Sequence, residues 1–117
     1  MSWFQIFLTQ DAESYRAGDV IFERGQPAES MYVIADGEVE ISVGSRQMDV
    51  LGREAIFGEM ALVTREPRSA TARARTDCRV VAIPEKRFLF LVANTPNFAL
   101  EVMRVMAERL RRRDPPV

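Results

Sequence analysis

The sequence predicts a mainly β protein, an antiparallel β-roll or jelly roll, that carries one short helix near its middle and ends in two helices. Three observations point there. Glycines recur at 18, 25, 37, 44, 52 and 58, with short segments rich in Val, Ile, Phe and Tyr between them. Turn signals spaced in this way mark a sandwich or barrel of short strands. Apolar and polar residues also alternate with period two in several of those segments. Past Pro84 the period becomes that of a helix and stays so to the end.

Taken in order, "WFQIFL" (3–8) is the only early apolar run. It is too short to span a bilayer and no basic residues precede it, so it reads as a short helix packed on the domain rather than a signal peptide. Residues 1–14 are assigned to this helical segment. "DVIF" (19–22) is a strand. "SMYVIADGEVEISV" (30–43) is read as a hairpin: Val39, Ile41 and Val43 alternate with Glu38, Glu40 and Ser42, which gives a buried and a wet face. Asp36-Gly37 fits the type I′ turn, where both central residues need positive φ. "QMDVLG" (47–52) follows as a third strand. Residues 59–63 can form one helical turn.

"ATARAR" (70–75) alternates small inward Ala with outward Thr and Arg, and "CRVVAIP" (78–84) is the last strand, stopped by Pro84. The roll therefore spans 15–84. "EKRFLFLVAN" (85–94) and "PNFALEVMRVMAERLRRR" (96–113) read as helices. In the second, Phe98, Val102, Val105 and Met106 form one stripe at i, i+4, i+7 and i+8. Pro96 suits the first helical position with Thr95 as its N-cap. Pro115-Pro116 stops the helix. The 117 residues fit a single domain, 1–117, without repeat or linker.

Composition removes several function classes. There is no histidine and one cysteine. Metal sites built on those residues, Ser-His-Asp triads and Cys-His pairs are excluded, and with them the common metal-dependent barrel enzymes. One cysteine forms no intrachain disulfide, so the reading is a cytoplasmic protein with Cys78 as a plain core residue. Residues 1–62 hold 11 acids and 4 basic residues, against 6 and 12 in residues 63–117. The electropositive second half invites an anionic partner. The run Arg111-Arg112-Arg113 alone is explained by a solvated helix end that complements the macrodipole.

The segment that interrupts the strands is "FGEMALVTREPRSATARA" (57–74). Gly58 has no Cβ, so a ligand or another backbone can come close. The start of the helical turn offers free N–H groups and partial positive charge. Arg68 presents a planar fork that matches two phosphate oxygens, and Ser69 adds a hydroxyl. Ala70 and Ala72 leave space. An ionised Glu59 accepts only, so it calls for a hydroxyl or amine donor. A small ligand carrying a phosphate and a sugar hydroxyl satisfies both charges. A buried Glu59–Arg68 ion pair that closes a loop with no ligand satisfies them equally, at a large desolvation cost.

"FGEMAL", a short spacer and "PRSATARA" resemble the phosphate-binding cassette of the cyclic nucleotide-binding domain family, and "YRAGDVIFERGQPAESMYVIADGEVEI" resembles that family's glycine pattern in its first strands. The resemblance covers residues 15–113. It implies a non-catalytic sensor whose ligand is cAMP or cGMP, with no other cofactor. It implies that Glu59 accepts from the ribose 2′-OH, that Gly58 and Met60 offer backbone contacts, and that Arg68 and Ser69 bind the cyclic phosphate beside the Ala70 amide. Ala61 and Thr71 complete the cassette set. It places Arg109 where some channel-type members hold a base-contacting arginine. Ser69 suits phosphate and also the 2-amino group of guanine, so both nucleotides stay open, with cAMP the first choice. Binding is expected to reposition the helices at 85–113 for a protein effector, or for self-association through the last helix. A DNA-binding motif and a membrane segment are not expected in this chain. The rival readings are an enzyme on a barrel scaffold, a ligand-free interaction module of the same fold, and a nucleic-acid binder using the Arg-rich end.

Overall fold

In the computed structural model, which describes residues 3–113, the strands form two four-stranded antiparallel sheets. They are β1 (Glu13–Tyr15), β2 (Val20–Phe22), β3 (Ser30–Asp36), β4 (Val39–Val43), β5 (Arg46–Leu51), β6 (Ile56–Phe57), β7 (Thr71–Ala74) and β8 (Cys78–Pro84). One sheet has the order β1-β8-β3-β6 and the other β2-β7-β4-β5. This is the jelly-roll arrangement that the turn spacing predicts. Helix α1 (Glu59–Thr64) lies between β6 and β7; α2 (Glu85–Asn94) and α3 (Pro96–Arg113) follow β8. The stop expected at Pro115-Pro116 lies outside the described residues.

Strands β3 and β8 are apolar on both faces, and that places the core. Met31, Val33 and Ala35 of β3, with Val81 and Ile83 of β8, pack with Phe4, Phe7, Phe88, Phe98 and Val102 on the helical side. Ile34 of β3 and Val80 of β8 face the other way, with Val39, Leu51, Phe57, Ala72, Ala74 and Cys78 between the sheets. A sheet buried on both faces reads as a continuous apolar run, and "MYVIA" is one. Phe98 is fully buried and meets Phe4, Phe7 and Phe88 edge-on with centroids 5.9–6.2 Å apart. Val105 and Met106 extend the expected stripe, half-buried on the same cluster. Thr95 joins the helices through its backbone: its N–H reaches Leu91 O, and its carbonyl accepts from Phe98.

Three expectations are corrected. Residues 30–43 do not form a hairpin. β3 pairs with β6 and β8, whereas β4 pairs with β5 and β7, so the chain changes sheets at Asp36-Gly37. Gly37 has φ +87, but Asp36 is not among the positive-φ residues, which rules out type I′. A Cβ on Gly37 would lie 2.4 Å from Asp77 O, so this glycine serves a close approach to the β7–β8 turn. The N-terminal helical segment is also shorter than residues 1–14. A 3-10 helix covers Trp3–Phe7, and Glu13–Tyr15 pair with Cys78–Val80 as β1. Along β4 only Val39 is fully buried; Glu40 and Ser42 are half-buried like Ile41 and Val43, so the wet face is weakly developed.

Candidate functional site

The chain leaves β6 at Phe57 and enters α1 through Gly58, whose φ of +82 sets the turn. A Cβ there would stand 2.8 Å from Arg68 Nη1 and 3.3 Å from the Phe22 ring. Glycine is thus required both by the backbone and by the close approach of Arg68. Helix α1 ends at Thr64 and is capped by Arg65, left-handed at φ 57. The chain then returns through Pro67 to Arg68. The Arg68 backbone is clamped to the loop after β2: its N–H reaches Gln26 O, and its carbonyl accepts from Gly25 N–H, each at 2.8 Å.

Arg68 is 5% exposed. Nη1 donates to Gly58 O at 2.7 Å and Nη2 to Ser30 O at 2.5 Å. The guanidinium lies 3.9 Å over the Phe22 ring, a cation–π contact. Phe22 is backed by Phe57, which stacks on Tyr32 with centroids 5.0 Å apart. Burial lowers the Arg68 pKa from its ordinary value, opposed by Tyr32, Glu59 and Glu29. The starting value is high enough that Arg68 stays a cation at neutral pH.

Glu59 opens α1 with 2% exposure. Its Oε1 accepts from Arg109 Nη1 at 2.6 Å, and Arg109 Nη2 also bonds to Ile56 O. The direct Glu59–Arg68 ion pair, the ligand-free alternative, is not formed. Both Arg68 amino groups are taken by carbonyls, and the ion-pair partner of Glu59 is Arg109. Among the described residues two buried polar side-chain atoms have no hydrogen-bond partner: Glu59 Oε2, an acceptor, and Arg68 Nε, a donor. Arg112 Nη2 bonds Asp49 Oδ2 at 3.1 Å, a second tie between α3 and the roll.

Between roll and α3 remains a partly open cavity. The α1 segment and the β7 approach line it with Gly58, Glu59, Met60, Ala61, Arg68, Ser69 and Ala70. The roll adds Phe22, Ile41, Asp49, Leu51 and Phe57, and α3 adds Met106, Arg109 and Leu110. A concave, largely apolar site with a few convergent charged groups is the usual form of a small-molecule pocket.

The family model of the cyclic nucleotide-binding domain matches residues 12–95. The chain belongs to the cyclic nucleotide-binding domain family. It is 38% identical over 96 residues to a cyclic nucleotide-gated potassium channel of Mesorhizobium japonicum, covering 82% of this chain and 26% of the channel. It is 30% identical over 102 residues to the CRP-like cAMP-activated global transcriptional regulator of Mycobacterium tuberculosis, covering 81% of this chain and 45% of the regulator. The chain thus spans less than half of either relative. The crystal structure of Thermus thermophilus catabolite activator protein superposes with a TM-score of 0.82 at 29% identity, over 94% of this chain and 55% of that one.

In this cyclic nucleotide-binding fold, eight of the nine site residues expected from sequence line one cavity. Thr71 is not among the lining residues; it opens β7, and its Oγ1 accepts from Arg24 N–H at 3.1 Å. Sequence reasoning missed Phe22, Ile41, Asp49, Leu51, Phe57, Met106 and Leu110. The first five are ordinary strand residues, and only the sheet pairing shows which of them face the cavity. Met106 was assigned to the core stripe, yet it also reaches the pocket. Among the described residues no helix is long and apolar enough to cross a membrane.

Proposed function

We infer that this domain binds cAMP or cGMP in the cavity between roll and α3, performs no chemistry on it, and passes the event on through α2 and α3. One observation carries the reading. Glu59 and Arg68 both line the cavity, and among the described residues Glu59 Oε2 is a buried acceptor without a donor and Arg68 Nε a buried donor without an acceptor. Unpaired buried polar groups cost on the order of 1–3 kcal/mol each, and more when charged. A cyclic nucleotide supplies what each lacks: a ribose hydroxyl to Glu59 and phosphate oxygens to Arg68. Ser69 and the Ala70 amide stand beside Arg68 for the same phosphate, and Gly58, Met60 and Ala61 give α1 its close approach to the sugar. Arg109 reaches the mouth of the cavity from α3, where a guanidinium can also stack on a purine.

The effector follows from the exposed side of α3. Leu100, Met103, Ala107 and Leu110 are exposed at i, i+3, i+7 and i+10, the spacing of a coiled-coil seam. Self-association along α3, or docking of a protein effector there, is the proposed readout. A cytoplasmic location fits the single, reduced Cys78 buried in the core.

Calorimetric titration of the chain with cAMP, cGMP and cyclic dinucleotides tests the reading. Saturable binding of a cyclic mononucleotide is expected, with cAMP the tighter. The alternative is a ligand-free interaction module in which the Glu59–Arg109 pair is permanent. Its signature is no binding of any cyclic nucleotide by a chain that melts cooperatively.

A further inference from the structure

Arg68 is a buried cation with no carboxylate against it. Its amino groups donate to the carbonyls of Gly58 and Ser30. Among the described residues its Nε has no hydrogen-bond partner, and it takes part in no ion pair. Two hydrogen bonds fix where the guanidinium sits, but its plane can still rock about the line between them. A contact on the face of the group stops that motion. Phe22 provides it, with its ring centroid 3.9 Å from Arg68 Cζ. The ring is itself held: the Phe57 and Tyr32 centroids lie 5.9 and 6.0 Å away. Phe22 belongs to β2 in one sheet, Tyr32 and Phe57 to β3 and β6 in the other, so the aromatic cluster is anchored on both. An irregularity in β2 brings Phe22 there. Neighbouring strand residues ordinarily face opposite ways, yet Ile21 and Phe22 both pack on the core between the sheets. The pairing with β7 shifts register between Val20 and Phe22, and a bulge of this kind re-aims a side chain.

We propose that Phe22 is a positioning residue for phosphate recognition: its ring fixes the plane of the Arg68 guanidinium, so that the Nε–H keeps one direction and distinguishes the two exocyclic oxygens of a cyclic phosphate. The proposal rests on the reading of the cavity as a cyclic-nucleotide site, which Phe22 and Arg68 line together. A carboxylate in place of the ring would hold Arg68 as firmly. It would also consume donors and cancel the charge that the phosphate needs. An aromatic face attracts the cation through its quadrupole and does neither. The carbonyls of Gly58 and Ser30 are neutral as well, so every group that braces Arg68 leaves its full charge for the ligand.

Two measurements test it on the full chain and on Phe22→Leu, Phe22→Met and Phe22→Tyr, each checked for cooperative melting. Phe22 is half-buried, so a shorter apolar side chain is accommodated. The first needs no ligand. In the nitrogen-15 spectrum the Arg68 Nε–H, assigned by its loss in Arg68→Lys, should be a sharp signal shielded by the ring. Phe22→Tyr should keep it, whereas Phe22→Leu and Phe22→Met should lose the shielding and broaden the line. An unchanged signal in the Leu and Met variants overturns the proposal. The second is calorimetric titration with the two phosphorothioate diastereomers of cAMP, in which sulfur replaces one exocyclic oxygen or the other. The native chain should prefer one of them about tenfold or more, the fold-change of one hydrogen bond to a charged group. Phe22→Leu should shrink that preference about fivefold, the fold-change of one lost cation–π contact. Phe22→Tyr should restore it. Equal weakening of both diastereomers with the preference intact makes Phe22 a packing residue and overturns the proposal, as does a native chain that binds cAMP and does not discriminate. A native chain that binds no cyclic nucleotide overturns the reading of the cavity, and the phosphate role with it.

Discussion

Arg68 Nη1 lies 2.7 Å from the carbonyl oxygen of Gly58, ten residues earlier. That bond ties the entry of α1 to the approach of β7. The second amino group reaches Ser30 O at the start of β3. One guanidinium therefore braces three chain segments and leaves Nε for a further acceptor. Bracing and binding are functions of the same side chain, and they can be separated by experiment.

Arg68→Ala should weaken cyclic-nucleotide binding ten- to a hundredfold. The ligand phosphate loses charge-assisted hydrogen bonds worth about 1.5–3 kcal/mol. Arg68→Lys should recover little of this, since an ammonium is a point charge and cannot fork. Titration calorimetry on variants with intact cooperative melting makes the check. Full affinity in the Ala variant would remove Arg68 from the site.

Gly58→Ala should damage both stability and binding. The residue sits at φ +82, and strain of this kind costs about 1–3 kcal/mol. The added Cβ would also meet Arg68 Nη1 at 2.8 Å and push the guanidinium off its place. Gly25→Ala is the matched control: its φ is +91, but nothing lies within 4 Å of its Cβ. Urea denaturation should show a loss in both variants. The fall in ligand affinity should appear for Gly58→Ala and be much smaller for Gly25→Ala.

The role of Glu59 is read by changing the ligand. If its carboxylate accepts from the ribose 2′-OH, 2′-deoxy-cAMP should bind the native chain about tenfold or more weakly than cAMP, the value of one hydrogen bond to a charged group. Glu59→Ala should erase most of that difference, because the comparison isolates one contact. Equal affinities for the two ligands in the native chain would make Glu59 a purely structural partner of Arg109.

How much of this was legible beforehand depends on whether the determining contact is local. The last two helices were readable to the residue, because Pro84, Pro96 and a 3.6-residue period act within a few positions. The pairing of β3 was not. Asp36-Gly37 between alternating runs is a strong local hairpin signal, but Gly37 is placed by its approach to Asp77 and Cys78, some 40 residues away. Strand β1 is three mostly exposed residues, and it exists because the edge of β8 offers a partner. In the site, Glu59 and Arg68 were visible as charges beside small residues. Their partners were not. Arg68 is held by carbonyls, which carry no side-chain signature, and Glu59 by an arginine that in sequence is one of several in a basic run.

Removal of residues 107–117 should leave a folded domain that holds its ligand poorly. Phe98, Val102, Val105 and Met106, the α3 residues of the apolar core, all remain. The melting temperature should therefore fall only slightly. What is lost is Arg109 and Leu110, two of the three α3 residues at the cavity. If the end of α3 covers the base, losing one cation–π contact of about 1 kcal/mol should speed ligand dissociation roughly fivefold. Association should be no slower, because the truncation leaves Glu59 and Arg68 in place. Stopped-flow measurement with a fluorescent cAMP analogue separates the two rates. In the full chain, amides 107–112 should also change their hydrogen exchange when cAMP is added. Equal dissociation rates in the truncated and full-length chains would show that α3 does not cover the ligand. The signal would then have to leave the roll through α1 or α2.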